Sequence, residues 1–254
     1  MADDLTRLDE GFWRVRGSFR VGPIDVGTQC SLARLSDGGW VMLDSYTLPG
    51  PILAQVREIT GGKLRAIVNL HPFHTLHCEW AHHAFPEAAM FGTARHQAKL
   101  PALPWQAERC EDGVLAREFG DSFAFSQPAG VPLVCADESV HFSSILALHL
   151  ASGTIHVDDT LVYLVKGFPL SLLPMTGRLG FHPTLAKALE PRAGAAAEFR
   201  AWARALGRDW QDARRIAAAH NAVLELPQGD FSRRLDAALT SVETVLASHE
   251  AKHG

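Results

Sequence analysis

Ile67-Val-Asn-Leu-His71-Pro-Phe-His74-Thr-Leu-His77 is the stretch on which the reading of this chain turns. The apolar run Leu64 to Leu70 has the length and composition of a buried strand, and it ends in three histidines spaced three apart. Pro72 disfavours helical dihedrals at His71, which places His71 at the strand's carboxyl end. Pro72 also suits the first position of a helix, where no amide hydrogen is needed. The spacing therefore predicts a helix that carries His74 and His77 on one face. Three imidazoles at a strand end offer a cradle for a divalent metal, because neutral imidazole is a common zinc ligand. A histidine-rich surface helix is the bland alternative, and His82 and His83 follow closely.

Composition narrows the function classes. At 254 residues the chain can build a substantial core. A formal charge of -4 leaves no basic footprint, so a nucleic-acid partner is not expected. Thirteen histidines are the compositional outlier. Cys30, Cys78, Cys110 and Cys135 are scattered without a C-x-x-C pair and read as mostly buried, reduced thiols. The start Met1-Ala-Asp-Asp-Leu-Thr lacks an apolar signal core, and no run is long enough to span a bilayer. A cytoplasmic protein without a membrane partner is the expectation.

Working outward, Phe12 to Val21, Asp25 to Leu35 and Gly39 to Leu43 read as strands, with Asp37-Gly38-Gly39 as a hairpin turn. Asp44-Ser45 closes the third of these strands. Pro51 to Thr60 has helical period and stops at Gly61-Gly62. Downstream, a short helix is expected over His77 to Ala84, a strand over Ala89 to Gly92 and a helical turn over Arg95 to Leu100. Gly113 to Phe119 and Pro132 to Cys135 are read as strands. His141 precedes a strand over Ser144 to Leu150. Thr154 to Val157 returns from it, Asp158-Asp159 marks its end, and Leu161 to Val165 follows as another strand. The region from about 183 to 254 is helix-rich. Helices are expected over Pro183 to Leu206 and Trp210 to His220, with Gly207-Arg-Asp209 between them, and a final amphipathic one over Asp230 to His249. No internal repeat interrupts this order, so one domain over 1–254 is expected.

In that order the sequence resembles the metallo-β-lactamase superfamily over most of its length. The family's strand-end motif Val-Asn-Thr-His-x-His-x-Asp-His has its counterpart in Val68-Asn69-Leu70-His71-Pro-Phe-His74-Thr-Leu76-His77, with one residue inserted after His71. Leu76 then falls where the family carries its aspartate, and Leu76 cannot coordinate a metal. Val140-His141-Phe-Ser-Ser144 resembles the family's Gly-His-Thr-x-Gly-Ser, Val157-Asp158-Asp159 its Thr-Gly-Asp, and Ala219-His220-Asn221 its Ala-His-Gly. The resemblance implies an α/β fold, an αββα sandwich, with the site at one edge of its two sheets. It implies a first metal site of His71, His74 and His141, and a second of His77, Asp159 and His220. Asp159 would be the bridging carboxylate. His182, in Gly180-Phe-His182-Pro, would lie near substrate, giving Asp159 and His182 as catalytic candidates. Each has a plainer reading: a strand-start polar residue for His141, a turn cap for Asp159, with Asp158 competing for its role, a helix-end histidine for His220 and a structural imidazole for His182. Glu79 reads as a solvated helix residue or as an acceptor orienting an imidazole. His96, His149 and His156 are read as strand or surface residues.

The resemblance implies a hydrolase in which one or two divalent ions, most simply Zn²⁺ with Fe or Mn as alternatives, lower the pKa of water to roughly 7. Imidazole and carboxylate donors fit all three metals. Without a positive stretch in the insertions, a small ester, thioester, lactone or amide is the expected substrate. The missing motif aspartate keeps a second reading open: a non-hydrolytic metalloprotein, or a binding protein on the same fold. Trp202 and Trp210 in the helical region are candidates for a homodimer contact, with core packing as their ordinary use.

Overall fold

Two kinds of strand pairing meet in the amino-terminal part of the chain. The computed structural model describes residues 4–21, 24–25, 27–135, 137–163, 177–219 and 222–254. The chain divides into two compact units, Met1–Phe125 with His149–Ser152, and Ser126–Leu148 with Gly153–Gly254. In chain order the first unit contains β1 (Asp4–Asp9), β2 (Phe12–Gly17), β3 (Arg20–Val21), β4 (Ile24–Asp25), β5 (Thr28–Arg34) and β6 (Trp40–Leu43). Then follow α1 (Gly50–Thr60), β7 (Leu64–Val68), α2 (Cys78–Ala84), β8 (Ala89–Phe91), α3 (Ala94–Lys99) and α4 (Val114–Phe119).

Its six-stranded sheet runs β1-β2-β5-β6-β7-β8. The β1-β2-β5-β6 pairs are antiparallel, whereas β6, β7 and β8 run parallel, in register at Leu43↔Val68↔Phe91. The parallel strands are almost wholly apolar, with Val41, Met42, Ile67, Val68 and Met90 all buried, as strands covered on both faces must be. α1 contributes Ile52 and Val56, one turn apart, to the core that also holds Leu32, Met42, Ile67 and Ala81. The consequence for function is alignment. The carboxyl ends of β6, β7 and β8 open at one end of the sheet, the place where open α/β sheets bind ligands.

The chain next forms β9 (Phe123–Ser126). The second unit then holds β10 (Leu146–His149), β11 (Thr154–Val157), β12 (Leu161–Tyr163), β13 (Leu179–Phe181), α5 (Leu185–Ala188) and α6 (Ala195–Asp209). β14 (Arg215–Ala218), β15 (Ala222–Glu225), α7 (Asp230–Ser241) and α8 (Glu243–His253) complete it. The five-stranded sheet has the order β15-β14-β11-β10-β9, with β11 and β14 parallel. Phe199 of α6 packs against Phe142 and Phe181, with ring centroids 5.9 and 4.9 Å away. Arg200 ties α6 to α8 through Glu243 and Glu250. Trp210 is buried, and the half-buried Trp202 donates its indole N–H to Ser126 Oγ at 2.9 Å. All four cysteines are buried and free.

The structure departs from the sequence reading in several places, among them the helices expected over Pro183 to Leu206 and Asp230 to His249, each of which is two: α5 and α6, and α7 and α8. Gly113 to Phe119 is helical, not a strand: Gly113 takes a left-handed turn (φ 84°), and Leu115 and Phe119 share the buried face of α4. A short apolar run does not separate the two states by its pattern. Pro132 to Cys135 forms no strand. The Ala-rich segment expected as a helix over Trp210 to His220 contains β14, because Ile216, Ala217 and Ala218 are buried in a parallel ladder with β11. Gly207 breaks no helix. α6 runs through it, and a side chain there would make ordinary contact with Ser232 of α7 at 3.4 Å. The strands β1, β9 and β15 carried no expectation.

Candidate metal centre

In the first unit the site begins with Asp44, the residue that follows β6. It is fully buried and is the one non-glycine residue with positive φ (57°) among the described residues. That backbone is unfavourable for most side chains, although aspartate tolerates it better than most. The carboxylate uses the turn to accept the N–H groups of Leu70 (2.9 Å) and His71 (3.3 Å). Asn69 does the matching work beside it. Its Nδ2 donates to the Phe91 carbonyl at 3.1 Å, and its Oδ1 accepts from the Ser45 amide (3.1 Å) and hydroxyl (2.7 Å). The ends of all three parallel strands are therefore stitched at the point where the chain reaches His71.

Beyond His71 the chain turns rather than coils. His74 N–H donates to the His71 carbonyl at 3.0 Å, and Thr75 N–H to that of Phe73 at 3.0 Å. The helix expected from Pro72 onward begins only at Cys78, so Pro72 stiffens a turn and starts no helix. The turn brings together the imidazoles of buried His71 and half-buried His74, tilted by 31° with centroids 4.1 Å apart and a ligand nitrogen of each within 4.8 Å of the other. Phe73 N–H approaches His71 Nδ1 at a long 3.3 Å, and ligation through Nε2 would put the ring's proton on Nδ1 at the expense of that contact. The Arg95 guanidinium lies 4.4 Å from the centre of the Phe73 ring.

His77 is held differently. Its Nδ1 bonds Thr47 Oγ1 at 2.9 Å, its ring meets Tyr46 edge-on at 4.9 Å, and burial lowers its pKa. Tyr46 is itself pinned, because its ring lies where a Gly17 side chain would be and its hydroxyl accepts Ser18 N–H at 3.2 Å. Leu76, at the position of the family's aspartate, is 77% exposed. Glu79 is exposed. Burial pushes the Cys78 thiol up to about 12, so it stays protonated and offers no thiolate.

One residue of this end, read from the sequence as a strand or surface residue, is neither. His96 is fully buried on α3, where its side chain and that of Thr93 form a reciprocal amino-terminal cap. The signal was there to find, as Thr93-x-x-His96 has the spacing of a capping box with imidazole in place of carboxylate.

In the second unit Asp158 and Asp159, directly after β11, are both buried, at 1% and 6% exposure. His156 Nε2 stands 3.7 Å from Asp158 Oδ2. Thr160 fastens the segment: its hydroxyl accepts Ser144 N–H at 2.9 Å and donates to the Phe142 carbonyl at 3.1 Å. His141 is exposed, and its Nε2 bonds the Glu138 carbonyl at 2.8 Å. His182 Nδ1 bonds the Thr184 hydroxyl at 2.7 Å at the start of α5. His220 lies outside the described residues. His149, which belongs to the first unit, is buried between Ser152 Oγ (2.9 Å) and the Arg34 carbonyl (2.8 Å), a structural use of an imidazole.

The chain has the metallo-β-lactamase fold. It is similar to a metallo-β-lactamase from Hirschia baltica, with a TM-score of 0.60 at 12% identity over 94% of this chain and 98% of that one. A metallo-β-lactamase from Erythrobacter litoralis, solved with β-mercaptoethanol in its active site, gives 0.59 at 15% identity over 93% and 96%. The mono-zinc form of FIM-1 from Pseudomonas aeruginosa gives 0.58 at 12% over 95% and 96%. No family model matches the sequence, and no curated relative matches it. Among the described residues no helix is long and apolar enough to cross a membrane.

Proposed function

We propose that this chain is a metal-dependent hydrolase acting on a small ester, thioester, lactone or amide in the cytoplasm. The observation that carries the reading is the His71–His74 pair, brought together at the end of a buried parallel strand whose backbone Asp44 and Asn69 hold still. Two adjacent imidazoles, one buried and one half-buried, are a donor set suited to zinc, iron or manganese. A divalent ion held there would supply Lewis acidity and an activated water at neutral pH. We assign His71, His74 and His141 to a first ion, His77, Asp159 and His220 to a second, Asp159 as the carboxylate between them, and His182 to the substrate side.

Two observations favour a second reading, in which one ion binds and the chemistry is altered or lost. Leu76 faces solvent where the family has an aspartate, and His77 is already engaged by Thr47. Elemental analysis of the purified protein separates the readings. Near two metals per chain, falling in both His71→Ala and Asp159→Ala, supports the dinuclear hydrolase and a substrate screen. One metal, lost with His71→Ala but kept in Asp159→Ala, supports the mononuclear reading. Metal content unchanged by His71→Ala would overturn the placement of the site.

A further inference from the structure

The eleven-residue helix α8 carries a second group of metal-ligating side chains, which the site after β7 does not use. His249-Glu250-Ala251-Lys252-His253 has the H-E-x-x-H order, in which two histidines four apart fall on one face of a helix. The structure brings the two rings together, with centroids 4.6 Å apart and planes tilted by 36°. Two imidazole nitrogens each about 2.0–2.1 Å from one zinc ion lie at most about 4 Å apart, a span that rings so placed can close. Both residues are half-buried, so the pair is sheltered yet open to an ion.

The neighbours of this pair point the same way. His249 Nε2 lies 2.8 Å from the Glu190 carbonyl. A carbonyl only accepts, so Nε2 carries the hydrogen and Nδ1 of the neutral ring presents a lone pair. A ring N–H donated to a backbone carbonyl, with the other nitrogen bare, is the arrangement that orients metal-ligating histidines. Glu250, between the two, is used differently. Arg200 of α6 holds both its oxygens, Nη1 on Oε1 and Nη2 on Oε2 at 3.1 Å. The carboxylate that serves as general base in metalloproteases with this motif is taken up here by an ion pair.

We propose that His249 and His253 form a separate, non-hydrolytic metal site for an imidazole-preferring divalent ion such as Zn²⁺, Cu²⁺ or Ni²⁺. His249 binds through Nδ1 while its Nε2–H stays on Glu190, so the ion fastens the last turn of α8 to the segment between α5 and α6. Water takes the remaining positions on the ion. The site lies wholly within the second unit and does not depend on the histidine turn after β7.

The test is a Zn²⁺ titration of the metal-free full chain, followed by calorimetry and imidazole ¹⁵N NMR, in wild type, His253→Gln, Glu250→Gln and His71→Ala. Wild type should bind one ion that moves the Nδ1 resonance of His249 and leaves its Nε2 protonated. Losing an orienting partner typically costs about 10- to 100-fold in metal affinity, so losing a ligand in His253→Gln should weaken this ion by at least about 10-fold. Glu250→Gln should keep most of the affinity. His71→Ala should keep this ion as well, which separates a failure here from a failure of the metal reading at the histidine turn. His249 resonances that ignore Zn²⁺ would overturn the proposal, as would an ion held equally well by His253→Gln. A loss in Glu250→Gln equal to that in His253→Gln would also overturn it, by making the carboxylate a ligand.

Discussion

The turn after β7 and the segment after β11 present their functional groups by opposite means. After β7, the groups to be aimed are imidazoles, whose neutral form loses little on burial, and the fold's effort goes into the backbone: Asp44 and Asn69 tie three strand ends together around His71. After β11, the groups are carboxylates. The Thr160 hydroxyl joins the segment to Phe142 and Ser144, and two adjacent acids are buried side by side. Burying carboxylates is costly unless a cation or several donors share their charge. One region is arranged for direction and the other is arranged for charge.

Asp44→Ala should disturb the first arrangement most. It strands two N–H groups, at about 1–3 kcal/mol for each left without a partner, and puts alanine in a left-handed turn. Denaturant titration should show a loss of at least about 2 kcal/mol, with Asp44→Asn losing less. A loss under about 0.5 kcal/mol would mean that Asp44 does not brace the turn.

Acid should weaken the first unit through His96, whose pKa burial lowers from 6.5 to about 4. The unfolded chain then takes up a proton that the folded state refuses. The contribution is complete above about pH 6.5 and is lost progressively as pH falls toward 4. Between about pH 7 and pH 5 this amounts to roughly 2 kcal/mol for the metal-free protein. Urea midpoints should fall over that range less steeply in His96→Gln than in wild type. Equal slopes would remove His96 from the account.

His74→Ala and His77→Ala divide the histidine stretch itself. The first should abolish the first equivalent of metal. The second should cost about 1 kcal/mol for its bond to Thr47 and leave that equivalent bound. Equal metal loss in calorimetric titrations would show that the two histidines act as one group.

Leu76→Asp is the mildest change. Because Leu76 is 77% exposed, stability should move by less than about 0.5 kcal/mol. Only the metal count should rise, and an unchanged count would argue against the inserted residue in the motif.

The strand–histidine junction was legible because a run of apolar residues ending at a proline can do little else. Asp44 was not singled out: its place at a strand end was visible, but its role exists only once β7 lies parallel beside β6. The Ala-rich segment at Ala217 and Ala218 misled for the same kind of reason, since pairing with β11 outweighs local helix preference. Asp158 and Asp159 were visible as a pair, and their burial was not, because solvent exposure is a property of what packs around a strand end. His96 was hidden by its chemistry, as an imidazole standing where capping boxes carry an acid.

The contact between Tyr46 and His77 gives this molecule a built-in reporter. The sequence has only two tyrosines, Tyr46 and Tyr163. Fluorotyrosine incorporation would therefore give two ¹⁹F signals, one from a ring 4.9 Å from His77 and pressed against Gly17. Any ligand that draws His77 away from Thr47 would be read from that single line, in a protein otherwise unlabelled and unmutated.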